Sequence, residues 1–239
     1  MLLRRFLEHV RSENWLAVVL DLLVVIVGLF LGLQIDTWWE GQKDARLEVA
    51  YLLDIQEDLE LNKSRLNESI AESESVIRNM LVLQKQSALS APGLSVTELN
   101  EKFSSIQSMP TFIPVTRAYT NLTGSGDLKL IRSRQLKNAL ADYYAMAQVT
   151  ALVQFSHEME LVQTFQPYII DNIDYAAVKY SRIDDFPLPP PIDEASILEV
   201  LATRHFRNIV TQKWVITTDL LDQHRTMLKR TNEVLQLVK

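Results

Sequence analysis

The chain has no cysteine, only six glycines and 8% aromatic residues among its 239. Without thiols there is no disulfide framework, no thiolate metal site and no cysteine nucleophile, and the redox state of the compartment is left open. An excess of basic charge is also missing. The formal charge is −6, and residues 36–239 hold 21 basic against 27 acidic groups. That balance argues against nucleic acid as a partner. The four histidines, His9, His157, His205 and His224, do not stand at metal-ligand spacing, and His157 with Glu160 is only a pair on one helix face. No metal and no cofactor is therefore expected. Alternating polar and apolar runs of strand type are absent too, so the expected fold class is all-α.

What is present is organised around Trp15 to Ile35, where 17 of 21 residues are apolar and only Asp21 and Gln34 are strongly polar. At ~1.5 Å rise per residue, the run from Trp15 to Trp38 covers about 34 Å, matching a hydrocarbon core of about 30 Å with Trp15 anchoring one interface and Trp38 and Trp39 the other. Residues 15–35 are read as a transmembrane helix. Arg4, Arg5 and Arg11 precede it, against Lys43 and Arg46 just beyond it. This positive-inside bias makes residues 1–14 a cytoplasmic tail and residues 36–239 an extracytoplasmic domain. A cleaved signal peptide is the rival reading, but the run exceeds the usual ~7–15 apolar residues and no small-x-small site follows it. Arg4-Arg5-Phe6-Leu7 lacks the residue that separates the arginines from the Phe in a twin-arginine signal.

Between Asp36 and Leu89 there is no proline and one glycine, Gly41. Leu52, Ile55, Leu59, Leu66, Ile70 and Ile77 recur at helical spacing, so the span is expected to continue into a stalk helix over about 36–89. Asn62 and Ser73 interrupt the seam, which favours an amphipathic helix packed on its own domain over a strict coiled coil. Pro92 and Gly93 break the helix, and Ser95 with Glu98 forms a capping-box signature for a short helix to about Gln107. Pro114 is expected in the first turn of another short helix, and Gly124 in the left-handed conformation at its end. Ser133 caps a long helix over 133–180, kinked at Pro167, whose apolar residues include Leu136, Leu140, Tyr143, Tyr144 and Ala147, then Leu152, Phe155, Met159 and Val162. Residues 181–194, SRIDDFPLPPPIDE, read as an extended connection. A short helix from Glu194 to Ala202 precedes the last long helix, 203–238, whose apolar stripe includes Phe206, Ile209, Val210 and Trp214. Three long helices joined by brief loops predict an antiparallel helical bundle standing on the membrane.

LLVVIVGLFLGLQIDTWWE and TRAYTNLTGSGDLKLIRSRQLKNALADYY resemble two motifs of the bacterial single-span membrane proteins grouped as domain of unknown function 6090. In that family an acidic residue begins the apolar run, which closes on glutamine, a polar residue and tryptophan, as Asp21, Gln34, Asp36 and Trp38 do here. Tyr119, Leu122, Ser125, Gly126, Leu128, Leu130, Ile131, Leu136, Leu140, Tyr143 and Tyr144 match the second motif. Asp21 departs from the more common glutamate, and the proline-rich loop is longer than the pattern. The resemblance implies the bacterial inner membrane and a helical architecture, and brings no activity.

Ala17, Asp21, Gly28 and Gly32 share one face of the span, and Gly28 to Gly32 is a GxxxG pattern that allows close backbone approach. A buried carboxyl at Asp21 costs ~1–3 kcal/mol unless paired, protonated or hydrated, so this face is a candidate helix-association surface. The bland alternative is that Asp21 snorkels and the glycine pair arose by chance. A sharper alternative is that Asp21 relays ions, as in stator subunits of the Mot, Exb and Tol type. Thr123-Gly-Ser-Gly-Asp127 lacks the strand and the Gly-Lys-Ser/Thr ending of a phosphate cradle and is read as turn chemistry. Lys129, Arg132, Arg134 and Lys137 read as a solvated face or as partners of the acidic stalk. The functional expectation is a non-enzymatic, single-pass protein that forms a homo-oligomer or serves another membrane protein as an accessory subunit. An extracytoplasmic small-molecule sensing module is the alternative, resting on fold-level analogy.

Overall fold

The structure is a computed structural model that describes residues 15–178 and 190–238, leaving aside the side chain of Ala17. The expected tail 1–14 and residues 181–189 of the proline-rich connection lie outside the described residues. All regular elements among the described residues are helical, with no strand.

Helix α1 runs unbroken from Trp15 to Gln86. Its 72 residues span ~108 Å, so the apolar run and the stalk are one rod as the sequence predicts. Residues 15–47 are almost all exposed, roughly 50 Å of bare helix, and this is a helix long and apolar enough to cross a membrane. Packing begins at Glu48, which accepts from the Arg132 backbone N–H at 2.7 Å and pairs with its guanidinium at 3.3 Å.

The return path is built from α2 (Val96–Phe103), α3 (Arg117–Gly124), α4 (Arg134–Glu160), α5 (Gln166–Asn172), α6 (Ser196–Leu201) and α7 (Arg204–Val238). Ser95 and Glu98 form the expected capping box at α2, and Ser133 caps α4 by accepting from Leu136 N–H. The start of α3 differs from expectation. Pro114 lies outside it, and Thr116 at the N-cap contributes no side-chain bond. The carboxylate of Asp58 on α1 caps the helix instead, accepting from Ala118 N–H at 2.8 Å and from the Arg117 guanidinium at 2.8 Å. Gly124 is the last helical residue and Ser125 stays right-handed; Gly126, φ +77°, makes the reversal. Sequence spacing could not separate two glycines so close together.

The long helix over 133–180 is shorter and interrupted. A π-turn, Leu161–Phe165, precedes Pro167, which sits in the first turn of α5 where its missing N–H has little consequence. Helix ends at Asn172, because Ile173 is extended and the Asp174 carboxylate accepts from Ala176, Ile192 and Asp193 N–H groups.

Pairs such as Glu74–Arg225, Gln84–Thr211 and Ser87–Arg207 show α1 and α7 running antiparallel. Apart from Asp58, which caps α3, the buried positions of α1 advance by alternate steps of four and three, Ile55, Leu59, Asn62, Leu66, Ser69, Ser73, Val76, Met80 and Leu83. On α7 the same rhythm passes through Phe206, Val210, Lys213, Thr217, Leu220, His224 and Met227. Both seams therefore keep the 3.5-residue repeat of coiled-coil packing, and Asn62 and Ser73 occupy it rather than break it. Trp214, expected in the apolar stripe of α7, is 36% exposed while Lys213 is buried.

Candidate functional site

The association-face residues all lie on the bare part of α1. Gly28 and Gly32 are exposed, with no atom within 4 Å of where a Cβ would stand, and Asp21 is partly buried on the same face. Ala17 belongs to the helix, but its side chain lies outside the described residues. Trp15 is exposed at the start of α1, and Trp38 and Trp39 meet edge to face at 5.5 Å. The structure places these residues as the sequence orders them, and among the described residues nothing stands within 4 Å of a Cβ built on Gly28 or Gly32.

The second motif forms a joint where α3 and α4 meet α1. Tyr119 stacks on Tyr144 at 4.1 Å, Tyr144 meets Tyr143 edge to face at 5.0 Å, and Leu122 and Ile131 are buried beside them. Leu130 is half-buried; Ser125 and Gly126 are exposed in the turn. Burial pushes both the Tyr143 and Tyr144 phenols above the ordinary tyrosine value. Tyr51 donates to Asp127 at 2.8 Å, and that bond, with one from Ser125, holds the Asp127 carboxyl below its usual range. These contacts tie the turn after α3 to the stalk. The motif residues do structural work here.

The polar positions inside the seams receive an extended strap, residues 108–116, laid along the bundle. Asn62 pairs with both backbone groups of Val115, accepting at 2.6 Å and donating at 3.0 Å. Gln154 does the same with Phe112, at 2.7 and 3.0 Å. Ser69 donates to Thr111 O, Arg65 to Ile113 O and Lys213 to Ser108 O. An extended segment with no sheet partner needs its backbone groups paired once buried, and these polar side chains supply those partners.

Two titratable groups are buried in this layer. Burial lowers the Lys213 ammonium to about 8, against the opposing pull of Glu72, and its Nζ lies 5.4 Å from the Phe165 ring centre. Burial lowers His224 to about 4. Its Nε2 lies 3.0 Å from Gln154 Oε1, which can only accept, so Nε2 carries the proton. Sequence spacing signalled neither, since a lysine at a seam position reads as a surface residue.

Among the described residues no group of histidines and carboxylates could hold a metal ion. An open groove of about 450 Å³ between α4 and α7 is lined by Gln135, Asn138, Asp142, Arg230 and Glu233, with Arg230 and Glu233 paired at 2.9 Å. No family model, curated protein or solved structure matches the chain.

Proposed function

We propose that this chain is a single-pass membrane protein whose function is assembly: it anchors a helical body to the bacterial inner membrane and associates there with itself or with another membrane protein as an accessory subunit. The observation that carries this reading is the bare apolar segment of α1, which exposes Gly28 and Gly32 on the face that holds Asp21. A single helix in lipid gains stability by packing on another, and small residues let the backbones approach. The N-terminus is cytoplasmic and the body extracytoplasmic in this reading, following the arginine bias. The resemblance to the 6090 grouping supports the same architecture.

The test is native mass spectrometry of the full chain extracted in nanodiscs. A homo-oligomer that Gly28→Leu or Gly32→Leu converts to monomer supports self-association through the span. A stoichiometric foreign subunit makes the chain an accessory protein. A monomer with no companion overturns the reading.

A further inference from the structure

Helix α4 carries two seams. The inner one, Leu136, Leu140, Tyr143, Ala147, Thr150 and Gln154, is buried. A second seam begins at Ala141, Ala145 and Gln148 and continues through Leu152, Phe155 and Met159, with Val162 exposed just beyond it in the π-turn. Its steps alternate between four and three, the spacing of a coiled-coil face, and every one of its positions is exposed. Leu152 is 70% exposed and Phe155 61%. With Val149, the large side chains of this face expose about 500 Å² per copy, taking ~200 Å² for each when fully bare.

Charge identifies the occupant. Residues 143–157 contain no Asp, Glu, Lys or Arg on a chain of net charge −6. Burial holds His157, at the edge of this stretch, below the ordinary histidine value. A contact between identical copies sets like residues near like, and an uncharged face lets two acidic chains meet without repulsion. In a parallel pair the positions flanking the seam meet five residues apart across the interface. That rule brings Lys137 against Asp142 of a second copy, twice by symmetry. Chains anchored in one membrane stand side by side and point the same way, which selects the parallel arrangement.

We propose that the outer seam of α4 is a self-association surface that pairs with α4 of a second copy in parallel register. This rests on the anchored, self-associating reading above and names the surface used outside the lipid. The exposed area lies below the ~800 Å² per partner of a standard interface, and tethering in one bilayer compensates by raising the effective concentration.

The natural absence of cysteine makes the test clean. The full chain, reconstituted in lipid vesicles, carries a single Leu152→Cys or, as control on exposed α1 surface, Ser64→Cys. Paired seam positions fall within the ~7 Å Cα separation a disulfide spans, so mild oxidation links Leu152→Cys into dimers roughly tenfold more than Ser64→Cys. Adding Phe155→Glu abolishes the link while helicity by circular dichroism is unchanged, because Phe155 is mostly exposed. Asp142→Lys weakens it, and adding Lys137→Asp restores it. Equal linking at both cysteines, linking to a foreign protein, or no link at Leu152→Cys overturns the proposal. The two readings separate in a Gly28→Leu, Gly32→Leu background. A link that persists there supports the α4 surface by itself. Oligomers that are lost there, with no link at Leu152→Cys in the parent, overturn the α4 surface and leave the span reading standing.

Discussion

His224 shows how a single side chain can set the acid limit of this fold. It is fully buried, donates through Nε2 to Gln154, and its Nδ1 has no hydrogen-bond partner. A second proton on the ring would have to enter Nδ1 in that setting, which is why burial holds the group at about 4 against 6.5 when unfolded. The unfolded chain therefore binds a proton that the folded chain refuses. Stability from this group is complete above pH 6.5 and is lost as pH falls from 6.5 towards 4, by up to roughly 3 kcal/mol. Urea unfolding of the wild type and of His224→Leu between pH 7 and 4.5 should give curves that converge on acidification, since carboxylates shared by both chains cancel in the difference. Parallel curves would remove the histidine from the account. Lys213 follows the same pattern at higher pH. Its lowered value costs stability below pH 8, and the cost eases as pH rises through 8.

At the scale of elements, the α1 seam is apolar where it meets α4 and α7 and polar where it receives the strap. Asn62 is a seam residue with zero exposure whose amide makes a bidentate pair with the Val115 backbone. Asn62→Ala leaves the half-buried N–H and C=O of Val115 without their partner and should cost about 1–3 kcal/mol in chemical denaturation. Asn62→Asp should cost less, because the carboxylate still accepts from Val115 N–H. The helices themselves were legible in the sequence. The capping box at Ser95 and Glu98, the cap at Ser133 and the continuous run through Gln86 all follow from local chemistry. The start of α3 was not, since its cap is Asp58, 60 residues away in the chain. Gly126 rather than Gly124 takes φ +77° because the chain makes a 3-10 turn, Asp127–Leu130, before α4 begins.

At the scale of the molecule, the packed body draws little on residues 15–47. Among the described residues its two apolar clusters use α1 only from Tyr51 upward, and Glu48 bonds to the Arg132 backbone just below them. A chain beginning at residue 40 should therefore stay folded in water, with a single cooperative thermal transition by circular dichroism at the temperature of the full chain in detergent. A broad or absent transition would show that the span helps to hold the body together. In such a fragment the outer seam of α4 would lose its membrane tether, and any pairing would weaken to the affinity of about 500 Å² of apolar contact.

The sequence by itself determined the length of the apolar run, the all-helical class and most helix ends, because each depends on residues within a few positions of one another. It also brought out the glycine face of the span, since one helix fixes which residues share a side. Only the tertiary structure decided which of α4's two apolar stripes is buried, since Leu136 to Ala147 and Leu152 to Met159 have equal claim by spacing. It likewise decided that Lys213 goes in and Trp214 comes out. Those choices are made by the strap and by α7, which arrive from distant parts of the chain and bring the backbone groups that buried polar side chains must satisfy.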